Sequence, residues 1–479
     1  MTYYLKLTIL SYVILMVSGC ASLPDTQFYT SKYRNQAAQF ENARGAVSAK
    51  RSAAIIAELK RASGDLDILD KQIALEQDVV GNPLVIGNKV TLLIDGPATY
   101  KEMFDAIKSA KDHINMESFI FEDDEIGQQF ADLLIERQSQ GVQVNLMYDS
   151  IGTISTNTNF FEQLTKAGVQ VLEFNPINPL KGKKAWEPNH RDHRKLLIID
   201  GQIAFLGGIN ISSVYSSGSS SGGSFASGSN GKRNKFNNKK ETSKGANNDE
   251  SGWRDTDVKL EGPIVAQFQT LFIESWNKQK GNSLAPKSYF PAVTAQGKEI
   301  VRAIGSTPDD PFSLMYLTLI SAITNAEKQV YITNAYFVPD PQLIKSLLDA
   351  ASRGVDVRLI LPQHTDSSAA YYAGRSYFNE LLKGGVKIYE RRIALLHAKT
   401  AIVDGIWVSV GSSNLDWRSA LDNDEVNAVI LGREFSQQMQ AAYLDDIKAS
   451  DEITLKAWQD RSILLKVKEM GARLIGRFL

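Results

Sequence analysis

Two stretches of the chain carry the same reactive side chains at the same spacing. "NHRDHRKLLIIDGQIAFLGGINISS" holds His193, Lys195, Asp200 and Asn210, and "LLHAKTAIVDGIWVSVGSSNLDWRS" holds His397, Lys399, Asp404 and Asn414. One such match is within reach of chance; two in register are not. Lysine ammonium groups bind phosphate as point charges, and asparagine amides donate hydrogen bonds to phosphate oxygens. Two imidazoles can divide nucleophile and general-acid duties where their surroundings push their pKa values apart. The set therefore points to phosphate chemistry. A metal is the competing idea for histidine beside aspartate, but a lysine ammonium on the same face cannot ligate while protonated and repels a divalent cation. No metal and no cofactor is expected.

Each motif reads as two strands joined at an Asp-Gly turn, "KLLIID-GQIAFLGG" and "KTAIVD-GIWVSVGS". Residues i and i+2 of a strand share a face, so His193 points with Lys195 and His397 with Lys399. Asp200 and Asp404 complete the motifs and are counted with the catalytic set. They fall at the turn, however, where holding the hairpin or its neighbours is the expected job rather than reacting. Gly207-Gly208 and Gly411-Ser412-Ser413 let the backbone and the following asparagine approach a ligand closely. His113, His190 and His364 have no such company; His190 is nearest the motif and is expected not to line it.

The elements that must position these groups also come twice. "AIKSAKDHINMESFIFEDDEIGQQFADLLIERQSQGVQVNLMYD" runs helix, strand, helix, strand, and "LISAITNAEKQVYITNAYFVPDPQLIKSLLDAASRGVDVRLILP" does likewise. "FEQLTKAGVQVLEF" then matches "FNELLKGGVKIYER", and each half reaches its histidine motif. Strands alternating with helices of this length predict an α/β sandwich in each half, duplicated within one chain. A length of 479 residues suits two domains of this kind. Hydrophobic and charged residues, at 43% and 22%, are in globular proportion. A net charge of −1 lacks the basic excess of a nucleic-acid binder, and no nucleic-acid partner is expected.

Outside the repeats, Cys20 is the single cysteine. It ends "VSGC" after an apolar run too short to span a bilayer, which has signal-peptide dimensions. "VSGC" resembles the lipobox of bacterial lipoproteins, so Cys20 is expected to be lipidated after removal of residues 1–19. Ala21 after it permits transfer to the outer membrane. The polar stretch from 26 to 80 predicts one or two surface helices leading into the first domain. Residues 216–252 are rich in Ser, Gly, Asn and Lys and cannot bury enough apolar surface to offset the entropy of ordering; a disordered insert is expected. The end of the chain, "LKAWQDRSILLKVKEMGARLIGRFL", has the pattern of an amphipathic helix. Lying in a membrane interface and packing on its own domain are both open to it.

The doubled H-x-K-x4-D motif with its trailing glycines and asparagine resembles the phospholipase D superfamily, and the layout is most similar to bacterial cardiolipin synthases. "DGPATYKEMFDAIKSAKDHINMESFIF", "WRDTDVKLEGPIV" and "ITNAYFVPD" share in that likeness, which covers roughly residues 85–450. It departs where a lipobox stands in place of the membrane-spanning N-terminus common in that subgroup. The resemblance implies two pseudo-symmetric α/β domains with one metal-free active site between them. It implies that His193 attacks phosphorus and that His397 protonates the departing alcohol, while Lys195, Lys399, Asn210 and Asn414 hold the phosphate. Glu425, and Asp257 in the first half, match the acidic residue that orients a histidine. The expected segments are a signal peptide (1–19), a helical region (20–84), two domains (85–290 and 291–450) and the terminal helix (451–479). The expected activity is phosphatidyl transfer between phosphatidylglycerol-like lipids with release of glycerol. Phospholipase D hydrolysis, a phosphodiesterase or nuclease, and a non-enzymatic envelope lipoprotein are the rival readings. Anionic phospholipids, a membrane surface and a lipid anchor facing the periplasm, more readily on the outer membrane, complete the expectation.

Overall fold

The computed structural model describes residues 38–64, 66, 68–178, 189–219 and 252–479. The signal-like segment with Cys20, and residues 220–251 of the expected insert, lie outside the described residues. The insert's flanks meet: a Cβ placed on Gly252 would stand 2.7 Å from the carbonyl oxygen of Gly218.

One strand order is built twice. The first half supplies β1 (Leu84–Ile94), β2 (His113–Ser118), β3 (Gln143–Asp149), β4 (Gln170–Phe174), β5 (Lys195–Ile199), β6 (Ile203–Gly207) and β7 (Thr256–Glu261). They lie in the order β1-β7-β6-β5-β2-β3-β4. The second half supplies β8 (Glu299–Ser306), β9 (Gln329–Thr333), β10 (Asp356–Pro362), β11 (Lys387–Arg391), β12 (Thr400–Val403), β13 (Trp407–Gly411) and β14 (Asn423–Leu431). Their order, β8-β14-β13-β12-β9-β10-β11, is the same. β2, β3 and β4 are mutually parallel, as are β9, β10 and β11, and helices connect them as parallel strands require. β1 pairs antiparallel with β8, Val85 opposite Val301, so the two sheets continue edge to edge.

The apolar run of β5 is buried on both faces, as a central strand between layers must be. Leu196 and Ile198 enter a cluster shared by both halves, which also holds Val258, Ile402, Val408 and Ile430. Leu197 and Ile199 turn to the first-half helices. β12 divides likewise, with Ile402 in the shared cluster and Ala401 and Val403 on the other side. The two histidine strands are thus back to back through one core, the physical form of the duplication.

Of the expected surface helices, Ala49–Ser63 is one, exposed along most of its length, whereas Ile68–Val80 is covered, and both pack on the second half rather than the first. Their residues Ile55, Leu59, Ile68, Leu69 and Ile73 are buried in the second-half core with Ile320, Ile323 and Leu347. Buried Glu76 pairs with Arg302 at 3.2 Å and accepts the indole N–H of Trp407 at 2.8 Å. The reason is the helix Leu314–Asn325, "LMYLTLISAITN", which is apolar nearly all round and needs a second covering layer. Among the described residues no helix is long and apolar enough to cross a membrane.

Candidate active site

Both hairpin turns place two consecutive residues in the left-handed region, Asp200 and Gly201 at φ 52° and 63°, Asp404 and Gly405 at 52° and 64°. This is the geometry that twists with the flanking strands. Asp200 accepts the backbone N–H groups of Lys111, Asp112 and His113 at 2.8–2.9 Å. Asp404 accepts those of Glu327, Lys328 and Gln329 at 2.7–2.9 Å. Each aspartate fastens its hairpin to the start of the adjacent strand, β2 or β9. Both stand at the opposite end from the histidines, which removes them from the reacting set.

The histidines sit just ahead of β5 and β12, and each is strung to the other half. Residues 191–192 pair in parallel with 423–424, and 253–254 with 395–396. The backbone N–H of His193 donates to Asp424 O at 3.0 Å, and that of His397 to Arg254 O at 2.8 Å. The next residue of each partner strand delivers a carboxylate. His193 Nδ1 lies 3.0 Å from both oxygens of Glu425, and His397 Nδ1 lies 2.7 Å from Asp255 Oδ2. Each imidazole is therefore oriented by the opposite half, and the site exists only at their junction.

Asp255, not Asp257, is the counterpart of Glu425. The repeat aligns Gly208, whose N–H donates to Thr256 O, with Ser412, whose N–H donates to Val426 O. Aligning "DTDV" with "NDEV" is two residues out of that register. The slip is invisible in sequence because i and i+2 share a face. Asp257 instead accepts the N–H of Ile209 at 3.1 Å. Gly208 makes room for the shorter, closer carboxylate, since a Cβ there would stand 2.1 Å from Asp255 Oδ1. In the second half Ser412 occupies that place and donates its hydroxyl to Glu425.

The two lysines lie beneath the imidazoles. Lys195 Nζ donates to His193 O at 2.6 Å and stands 5.2 Å over the Phe119 ring. Lys399 Nζ donates to His397 O at 2.5 Å and lies 2.8 Å from His397 Nε2. Burial pushes Lys195 down to about 7, helped by Lys399, and pushes Lys399 down to about 8 against the carboxylates of Asp255 and Glu425. Burial also holds both imidazoles at about 4, opposed at His193 by Glu425 and at His397 by Asp255. Burial alone raises a carboxyl, yet His193, Lys195 and Ser412 bring Glu425 down to about 2. His193 is thus neutral at pH 7, its Nδ1–H donating to the Glu425 carboxylate and its lone pair on Nε2.

The asparagines differ. Asn210 is spent within the protein, accepting Ile120 N–H and donating to the Tyr215 hydroxyl, both at 3.1 Å. Tyr215 in turn lies 3.3 Å from His397 Nδ1. Asn414 Oδ1 is buried without a hydrogen-bond partner among the described residues and borders a pocket shared with Lys399, Asn334 and Asn427. His190 pairs with Asp424 at 2.9 Å, and His113 lies between Asp112 and Gln269. The rings of Tyr215, Trp253 and Phe119 lie 5.9, 5.3 and 5.1 Å from the nearer histidine; Trp253 and Phe119 stand in the stretches that carry the family likeness without being singled out there, and Tyr215 carries no sequence signal.

A family model described as "Cardiolipin synthase, PLD-like domain" matches residues 103–217 and 319–447. The chain is 32% identical over 401 residues to a cardiolipin synthase of Geobacillus kaustophilus, covering 83% of this chain and 74% of that protein. It is 34% identical over 402 residues to one of Listeria welshimeri, covering 83% and 77%. Among solved structures, the phosphatidylserine synthase of Haemophilus influenzae superposes with a TM-score of 0.59 at 14% identity. That match covers 88% of this chain and all of the other, and shows a common fold.

Proposed function

This chain belongs to the cardiolipin synthase family of phospholipase D-like proteins, and from that premise we propose that it moves a phosphatidyl group between phosphatidylglycerol-like lipids through a phosphohistidine. His193 Nε2 bonds to phosphorus as the bond from phosphorus to the donor's glycerol oxygen breaks, and His397 Nε2 supplies the proton that the departing oxygen takes. In the second step His397 accepts a proton from the acceptor hydroxyl. That oxygen bonds to phosphorus as the phosphorus–nitrogen bond breaks, which restores His193. The observation that carries this reading is the crossed pair of carboxylates. They tie down Nδ1 of both rings, and His193 Nε2 is left without a hydrogen bond to any described residue.

Burial and Lys399 keep His397 unprotonated before substrate arrives. A phosphodiester anion opposes both effects, so substrate binding itself loads the acid. The same anion restores full charge to Lys195 and Lys399, which then balance the transition state without a metal. Asn414, whose amide nitrogen makes no hydrogen bond to a described residue, is the asparagine available to donate to the phosphate, whereas Asn210 acts through Tyr215.

The lipid substrates and a membrane-bound place in the cell envelope follow from the same reading, with Cys20 as the lipid anchor facing the periplasm. A fatty-acid probe should label wild type and not Cys20→Ser. Roles are separated with phosphatidyl-p-nitrophenol, whose leaving group needs no proton. His193→Ala should lose all turnover, and His397→Ala should keep a burst and a trappable phosphohistidine in excess chelator. A burst from His193→Ala alone would reverse the roles. Mass spectrometry of lipids from expressing cells identifies donor and acceptor; phosphatidic acid as sole product would make water the acceptor.

A further inference from the structure

The terminal helix Ile463–Ile475 is seated on the protein by the narrow side that carries Leu465, Glu469 and Ala472. Glu469 is only 1% exposed, ion-paired with Arg461 at 2.6 Å and 3.9 Å from Arg375. Ala472 and Leu479, on the same side, pack against the small cluster of Val338, Ala370 and Ala373. Most of the large apolar side chains point the other way. Ile463, Val467, Met470, Leu474 and Phe478 recur at intervals of three and four, with Ile463 78% and Leu474 81% exposed. Helices of globular proteins bury such a stripe. Here it is bared, and a contiguous patch of that kind marks a docking surface.

We infer that this stripe is a membrane-docking face that sets the active site against an anionic phospholipid bilayer. Charge selects the occupant. Lys466, Arg473 and Arg477 run along one flank of the stripe and Lys468 along the other, while the only acid of residues 463–479 is the inward Glu469. Aromatic rings hold three of these cations in place: Arg473 over Tyr377, Arg477 over Trp417 and Lys468 over Tyr372, at 4.3–5.7 Å. A second copy docked there would set like charges together, whereas anionic headgroups neutralise them as the apolar side chains enter the interface.

Position makes the same selection. The helix packs on Ser368–Arg375, which follows the C-terminal end of β10, and a Cβ on Gly476 would stand 3.3 Å from Val338. The backbone N–H of Val338 donates to Leu415, the residue after Asn414. Exposed Ile151 and Ile154 follow β3, Ile177 follows β4 and Ile393 follows β11. The topology gathers all of these at the end of the sheets that carries His193 and His397. Exposed Phe290, by contrast, follows Tyr289, whose ring packs on His113 at the opposite end. The inference rests on the proposed phospholipid substrate only for why a membrane meets the active-site end.

The test uses the full-length Cys20→Ser chain with one new cysteine, Leu474→Cys or Phe290→Cys, carrying a polarity-sensitive fluorophore. Vesicles of phosphatidylglycerol should shift the label at position 474 to the blue and allow its quenching by a lipid-borne quencher, and should leave the label at 290 unchanged. Phosphatidylcholine vesicles should do little. An unmoved label at 474, equal movement at 290, equal response to phosphatidylcholine, or a shift in a vesicle-free dimer would overturn the inference. In parallel, the double variant Ile463→Glu/Leu474→Glu should lose about tenfold or more in turnover of vesicle lipid and keep turnover of monomeric short-chain phospholipid. Loss on both substrates would show that the helix serves only folding. If wild type turned over no phospholipid while the label at 474 still responded, the proposed reaction would fall and the docking face would stand.

Discussion

Asp255→Asn is the sharpest perturbation of the crossed arrangement, because the amide keeps the shape and removes the charge. Asp255 Oδ2 accepts from His397 Nδ1 at 2.7 Å with both groups buried. An amide that turns its nitrogen to the ring forces the imidazole proton onto Nε2, the wrong tautomer for taking a proton from the acceptor hydroxyl. A hydrogen bond to a charged group contributes about 1.5–3 kcal/mol, and stranding a buried charged partner costs about 2–5 kcal/mol. A value of about 3 kcal/mol corresponds to a loss of roughly 150-fold in kcat/KM. Asp257→Asn is the matched control, two residues on and on the same face. Burial beside Asp255 pushes the Asp257 carboxyl up to about 8, so it is already neutral at pH 7 and an amide replaces it in kind. Its rate should stay within about threefold of wild type. The assay is transfer between phosphatidylglycerol molecules in vesicles at pH 7, with melting temperatures to show that both variants fold. With the p-nitrophenol donor the Asp255→Asn deficit in the first step should shrink, since that group leaves unaided. A loss of about a hundredfold in Asp257→Asn with an unaffected Asp255→Asn would refute the assignment and restore the register expected from sequence.

Lys195→Met should abolish turnover and raise the melting temperature at pH 7. Lys195 falls from an ordinary 10.5 in the unfolded chain to about 7 when folded, so the unfolded state binds more protons between those values. Wild-type stability from this group therefore rises with pH across that window, and the variant's advantage should shrink toward pH 10.5 in melting curves taken across the range. Asp200→Ala and Asp404→Ala each strand three backbone N–H groups and should cost about 3 kcal/mol or more of stability in denaturant unfolding, with the rate of whatever remains folded little changed. A rate loss like that of the histidine variants, without loss of stability, would return them to the reacting set. Replacing residues 220–251 by two glycines should leave solubility and rate within about tenfold, because the flanking Gly218 and Gly252 already touch; an insoluble product would show that the segment supports the fold.

Much of this protein is legible in its sequence because the signals are local. Alternation placed His193 with Lys195 and His397 with Lys399, the Asp-Gly pairs marked both hairpins, and the recurring helix–strand pattern announced two similar halves before any contact was known. Local signals do not reach across the junction of those halves. Strand periodicity leaves Asp255 and Asp257 on one face, and only the ladder of residues 253–254 with 395–396 decides that Asp255 meets His397. The imidazole and lysine pKa values are set by burial between two sheets, which no residue carries in its own type. The terminal helix makes the same point in reverse. Its amphipathic pattern is plain in sequence, but which side turns inward was decided by Arg461 and Arg375, which draw Glu469 down and leave the apolar stripe facing out.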